Sequence, residues 1–282
     1  MRILQIKKFK EFKAEVWNYY RGHKRDLPWR RTKNPYRILV SEIMLQQTQV
    51  SRALIKYPQF IKRFPNFQAL ATASIKDVLK EWQGLGYNRR ALALKRAAEI
   101  VVEKHRGELP RDLASLEALP GIGQSTAGAI TAFSYGIAEP FIETNIRRAY
   151  IHFFFQRKEK VHDKEILKLV TKTIDKKNPR EWYWALMDYG AMLGALPKNP
   201  NQKSVHYAKQ SRFVGSDREL RGKILKLLLA KKFISENLME KYPFVAPSQN
   251  IFQDRRRCKR VLRSLLRDHL ICRKDGKIGI SE

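Results

Sequence analysis

The stretch Leu119-Pro-Gly-Ile-Gly-Gln-Ser-Thr-Ala-Gly128 decides how the rest of the chain is read. Pro120, Gly121 and Gly123 crowd a turn, and an apolar, alanine-rich run follows at helical spacing (Ala127, Ala129, Ile130, Ala132, Phe133). Glycines at that density allow positive φ and a close backbone approach to another molecule. A turn that feeds a helix also presents unpaired N–H groups that suit a phosphate. By itself the stretch is equally compatible with an ordinary helix–turn–helix corner, so its meaning depends on the surrounding chain.

Outward from it the pattern is helical. After the turn, Glu143-Thr-Asn145 leads into a helix over about 146–155, with Thr144 and Asn145 as cap candidates and Glu143 at the favourable positive end of the dipole. Two further helices follow over 163–196. Before the turn, residues 8–20 place Phe9, Phe12, Val16, Tyr19 and Tyr20 on one stripe. The basic segment Arg25-Asp-Leu-Pro-Trp-Arg-Arg31 comes next. A helix then runs from Asn34-Pro35 to about Lys56 and carries Glu42, which taken alone reads as a solvated helix carboxylate. Short helices fill 57–118, one of them capped by Ser74. Gly84-Leu-Gly-Tyr-Asn-Arg-Arg90 is a glycine-bracketed turn, and Tyr87 at its tip reads either as a surface aromatic or as a wedge that stacks on bases.

The segment 197–214 is polar and proline-containing, a linker by composition. Beyond it lie basic amphipathic helices over 217–232 and 254–270. Two β-prone runs around Asp275-Gly276 complete the chain, a strong hairpin signal. The reading is therefore a mainly α domain over 1–196, a linker over 197–214 and a small, basic, winged-helix-like α+β domain over 215–282.

The chain has 282 residues, with 57 Lys and Arg against 27 Asp and Glu, a formal charge of +30. Such a field attracts polyanions, with nucleic acid favoured over a membrane surface. Hydrophobic residues at 43% indicate a folded core rather than a basic tail. No apolar run reaches the roughly 18 residues of a membrane span, and the basic N-terminus lacks a secretory apolar region. Cys258 and Cys272 make neither a disulfide framework nor a four-thiolate site. An intracellular, nucleoid-associated monomer is expected.

Together the motifs resemble the helix-hairpin-helix DNA glycosylases, most closely the MutY-type adenine glycosylases of A·G and A·8-oxoguanine mismatches. The segments that carry the resemblance are Leu27-Pro-Trp-Arg30, Ser41-Glu-Ile-Met-Leu-Gln-Gln-Thr-Gln-Val50, Gly84-Leu-Gly-Tyr87, Leu119-Pro-Gly-Ile-Gly123 with Ser125-Thr-Ala-Gly-Ala-Ile130, and Met187-Asp-Tyr-Gly-Ala-Met192, in family order. The resemblance covers roughly residues 24–195. It implies two α-helical subdomains and a base flipped out of the duplex for excision.

By position, Glu42 matches the general acid on the adenine leaving group, and Glu143 the carboxylate that meets the sugar cation. The pair follows the two-carboxylate logic of glycoside cleavage. Arg30, Gln46, Gln47, Tyr87, Gly121, Gly123, Ser125 and Asn145 match DNA- or lesion-binding positions, and Trp29 and Trp184 the base pocket. Ser125 stands where bifunctional relatives carry a Schiff-base lysine, which implies base removal without strand cutting. Mismatched or damaged double-stranded DNA is the implied partner.

Four departures accompany the match. The family has Asp at Glu143 and a pocket Gln at Trp184. Its four iron–sulfur cysteines fall at or near Gly194, Asn201, Ser204 and Gln210, so no cluster is expected. The family's 8-oxoguanine-reading domain has no counterpart. A thymine or uracil mismatch glycosylase and a non-catalytic lesion-binding protein are the competing expectations.

Overall fold

The fold is given by a computed structural model that describes residues 2–231, 233–235 and 251–282. The helices are α1 (Arg2–His23), α2 (Pro35–Leu45), α3 (Val50–Arg63), α4 (Phe67–Ala71), α5 (Ile75–Glu81), α6 (Arg89–His105), α7 (Leu113–Glu117), α8 (Gln124–Tyr135), α9 (Thr144–Phe154), α10 (Asp163–Thr173), α11 (Pro179–Gly194), α12 (Asp217–Ala230) and α13 (Ile251–Arg267). Strands β1 (Phe233–Ser235), β2 (Ile271–Lys274) and β3 (Lys277–Ile280) form an antiparallel sheet in the order β1-β3-β2. The chain divides into two compact units, one of Met1–Glu42, Pro110–Ala118 and Ile122–Lys209, the other of Ile43–Leu109, Leu119–Gly121 and Gln210–Glu282.

The first unit is built on α1, α9 and α11. Phe12 and Val16 of the α1 stripe are fully buried. The Phe12 ring lies 4.8 Å from that of Tyr150 and 6.0 Å from that of Trp182. Burying aromatic side chains of this size stabilises a fold by about 2–3 kcal/mol each. The tightest approach is of α9 to α11 at Gly190, where a Cβ would come within 2.1 Å of the Asn145 carbonyl oxygen. No other residue type fits there without moving the start of α9. The 199–205 stretch, expected as linker, is also packed in this unit. Asn201 and Ser204 are buried, and Val161 donates to the Lys203 carbonyl at 2.8 Å.

In the second unit Phe60, Phe64 and Trp82 form the aromatic core. The helix expected over 34–56 is in fact two helices, because Gln47 takes a left-handed φ of 55°. The break is stabilised from α6. The Arg90 guanidinium donates to the carbonyls of Ile43 (2.7 Å), Met44 (2.9 Å) and Gln46 (2.5 Å), the orphan acceptors at a helix end. Helix α6 itself has 17 residues, longer than the short helices expected there. The β2–β3 hairpin turns at Asp275-Gly276, both at positive φ (48° and 66°), as the sequence requires. β1, which pairs Ile234 with Ile278, had no sequence signal.

Candidate active site

Glu42 lies near the C-terminal end of α2 and is half-buried. Glu143 is the N-cap of α9, in place of the Thr144 or Asn145 expected there. One Glu143 oxygen accepts the backbone N–H groups of Asn145 (2.7 Å) and Ile146 (2.8 Å), and the other accepts Asn145 Nδ2 at 3.2 Å. The side-chain oxygen of Asn145 accepts in turn from Arg148 Nη1 at 2.8 Å, which also donates to the Gly190 carbonyl at 2.7 Å. Glu143 is therefore fixed in position by the helix start.

Both carboxyls are raised by burial, but the groups around them differ. Burial pushes the Glu42 carboxyl up to about 8, the nearby Glu143 charge adds to that rise, and Arg30 opposes it. Burial also raises Glu143, but the two backbone N–H bonds and the charges of Arg147 and Arg148 pull it back. Among the described residues no N–H donor reaches Glu42. Hydrogen bonds to its charged form favour the anion at Glu143, and Glu42, without such donors, is the carboxyl on which a proton is favoured. One carboxyl that can give a proton stands near one carboxylate that keeps its charge.

Arg30 is buried, with its guanidinium in a bidentate pair with Asp188, at 2.8 and 2.7 Å. The sequence reading placed Arg30 among the DNA- or lesion-binding positions; the structure buries it against Asp188, close enough for its charge to act on Glu42. Arg25 adds its backbone N–H (3.1 Å) and Nε (2.5 Å) to the Asp188 carboxylate. Burial opposes ionisation of Asp188, yet the Arg30 bonds and the charges of Arg30 and Arg25 hold its carboxyl below the usual range. Trp184 is buried, with the Arg30 and Arg180 guanidiniums 5.3 and 4.5 Å from its ring and Phe133 at 5.7 Å. Trp29 is buried in the 3₁₀ turn Pro28–Arg30. Asp188 and Arg148 carried no readable sign of these roles in the sequence. The Asp in Met187-Asp-Tyr-Gly was visible, but its partners lie 158 and 163 residues away.

The opening turn is partly as expected. Gly121 has φ 80°, and a Cβ there would meet the Ala93 side chain at 2.9 Å. Gly123 is different: it caps α8 with φ −101°, and nothing in the protein lies within 4 Å of its missing Cβ. Neither its conformation nor its neighbours require glycine. Gln46 donates through Nε2 to the Gly121 carbonyl at 3.1 Å, and Gln47 is exposed at the α2–α3 break. Ser125 is in the first turn of α8. Tyr87 has φ 46°, follows Gly86 at φ 70°, and lies 5.6 Å from the Arg90 guanidinium. Arg90 is an internal brace of this turn, its Nη2 donating to the carbonyls of Leu85 (3.2 Å) and Gly86 (3.1 Å).

The residues at the cluster positions do not fit a thiolate-held iron–sulfur group. Asn201 donates to the Thr144 carbonyl at 2.9 Å, and Asn199 accepts from Arg148 Nε at 3.0 Å. A side-chain atom on Gly194 would meet Arg148 at 2.4 Å. Amide hydrogen bonds hold this loop against the start of α9.

Residues 40–176 match the family model of the HhH-GPD superfamily base excision DNA repair proteins. An adenine DNA glycosylase of Buchnera aphidicola subsp. Baizongia pistaciae is 40% identical over 65% of this chain and 52% of the relative. The chain thus spans about half the length of that relative. An adenine DNA glycosylase of Mycobacterium tuberculosis is 33% identical over 93% of this chain and 90% of its own. Among solved structures, a thermostable thymine-DNA glycosylase superposes with a TM-score of 0.62 at 25% identity, covering 71% of this chain and 93% of that one.

Proposed function

Since the chain belongs to the HhH-GPD superfamily of base excision DNA repair proteins, within the adenine DNA glycosylase family, we propose that it removes mispaired adenine from double-stranded DNA by hydrolysing the N-glycosidic bond. The observation that supports the proposal is the inequality of the two carboxylates: Glu143 accepts two backbone N–H groups that favour its charged form, whereas burial pushes Glu42, which has no such donors, up to about 8. Adenine leaves poorly as an anion. Glu42 gives its proton to a ring nitrogen of the base as the C1′–N bond breaks, and the bonding pair leaves with the base. Glu143 stabilises the positive charge that develops on the sugar, and water completes the hydrolysis at C1′. Arg30, held by Asp188, tempers the rise in the Glu42 pKa so that the proton remains transferable near neutral pH.

Ser125 supplies no amine for a Schiff base, so the enzyme leaves an abasic site and does not cut the strand. No cluster is needed, because the Asn199–Asn201 loop is held by hydrogen bonds to Arg148 and Thr144. Trp29 and Trp184 line the base site. Gln46, Gln47 and Tyr87 act at the lesion, and the Gly121–Gly123 turn grips a phosphate. The bare backbone at Gly123 supports that last role, since only an external partner makes use of its missing side chain. The protein acts as an intracellular monomer, with residues 215–282 as its basic C-terminal module. No helix among the described residues is long and apolar enough to cross a membrane.

The test uses end-labelled duplexes with A·8-oxoguanine, A·G, T·G or U·G, treated with hot alkali after incubation. Cleavage of the adenine duplexes, only after alkali, is the expected result. Cleavage of T·G or U·G alone would move the substrate to a pyrimidine. Tight binding with no cleavage of any duplex would refute the enzyme.

A further inference from the structure

The second unit contains a cavity of about 890 Å³. Its walls come from the α2–α3 break, the turn before α6, helix α12 and the end of α13. Its size lies within the range of about 300–1,000 Å³ typical of ligand-binding clefts. Seven of its lining residues are Lys or Arg and one is acidic, Asp268. That carboxylate is already engaged, with Arg221 Nη2 at 2.6 Å and Arg89 Nε at 3.9 Å. Arg52, Lys56, Lys226 and Arg267 have no carboxylate partner among the described residues. Arg52 and Lys56 are four residues apart on α3, so they share one helix face.

Unpaired cations converging on one concavity carry a high local positive potential, which concentrates polyanions. Tyr87 stands at the edge of the cavity. Its hydroxyl accepts from Arg218 Nη1 at 3.2 Å and from Gln210 Nε2, and the Arg218 guanidinium lies 5.9 Å from the ring centre. The C-terminal module thereby holds an aromatic face beside the cations, and Leu85 and Leu225 add apolar wall. Cations interleaved with an aromatic face form a surface for a nucleic-acid strand.

We propose that this cavity binds the phosphodiester backbone of DNA, with Lys226 and Arg267 as its phosphate contacts from the C-terminal module. Residues 210–282 are then part of the DNA grip and not an appendage. The inference rests on the reading of the chain as a protein that acts on DNA.

The test is fluorescence anisotropy of a labelled A·G duplex between low and physiological salt, comparing wild type with Lys226→Ala/Arg267→Ala. A control pair, Lys176→Ala/Lys177→Ala, removes the same charge from a turn of the first unit. The cavity pair should lower the log–log salt slope by about 2, at about 0.9 per lost phosphate contact on duplex DNA. The control pair should leave the slope unchanged. Lys226→Arg/Arg267→Lys should restore it, which excludes a folding defect. Equal slopes for the cavity and control pairs would overturn the proposal. A slope lost on single-stranded RNA but not on the duplex would do the same. If no duplex loses its base in alkali assays yet the cavity pair still lowers the slope, the glycosylase reading falls and the cavity assignment stands.

Discussion

Glu42→Gln removes the proton donor, so base release should stop, yet the same substitution should make the protein more stable. The carboxyl titrates near 8 in the folded chain against 4.5 for an ordinary Glu. The folded state therefore binds an extra proton between those two values, and stability falls as the pH rises through that window. Below 4.5 both states are protonated and the residue costs nothing; above about 8 the full penalty applies. At pH 7 the window is about 2.5 units deep, which corresponds to about 3 kcal/mol at roughly 1.4 kcal/mol per unit. Water at the half-buried side chain reduces this, so about 1–3 kcal/mol is expected. Glutamine has the shape of the protonated acid and carries no such cost. At roughly 2–4 °C per kcal/mol for a chain of this size, the variant should melt several degrees higher at pH 7. Thermal unfolding of both proteins from pH 4 to 9 provides the check. The two melting curves should converge at the acid end and separate as the pH rises. A gap that does not depend on pH, or a variant that melts lower at pH 7, would refute the assignment of the proton to Glu42.

Glu143→Ala should lower stability by about 1 kcal/mol for the lost cap of α9 and reduce single-turnover base release by at least about 100-fold, the scale of losing one electrostatic stabiliser. Base release by Glu143→Ala within a few-fold of wild type would remove Glu143 from the mechanism. Asp188→Ala leaves the Arg30 charge buried without its partner and should cost about 3–5 kcal/mol, read by denaturant unfolding. Gly123→Ala adds a methyl group where the protein has open space at an ordinary φ. Its stability should stay within about 0.5 kcal/mol of wild type, while duplex affinity in the anisotropy assay falls. Unchanged affinity would remove the turn from the DNA contact.

Features with a local signal were legible in the sequence. Gly121 announces a positive φ, Ser74 a helix cap, and Asp275-Gly276 a two-residue hairpin, because each is fixed by the conformational preferences of a few adjacent residues. The motif order further identified Glu42 and Glu143 as a pair. Where the chain departs from its own periodicity the reading was wrong. The helix expected over 34–56 was carried through the polar run Gln46-Gln47-Thr48-Gln49, while the break there is stabilised by Arg90, more than 40 residues away. The resemblance assigned Glu42 to the leaving group and Glu143 to the sugar cation, but two glutamates read as residues alone carry no physical reason for that division of work. That division comes from tertiary structure: the start of α9 aims N–H groups at Glu143, burial leaves Glu42 without any, and an arginine fixed by Asp188 lies close enough to restrain its pKa. The cavity of the second unit arises in the same way, from residues 47 to 268. The sequence alone determined the residue types and local turns of this protein. Only the fold decided where the proton resides and which cations remain unpaired, because burial and charge pairing depend on neighbours that are distant along the chain.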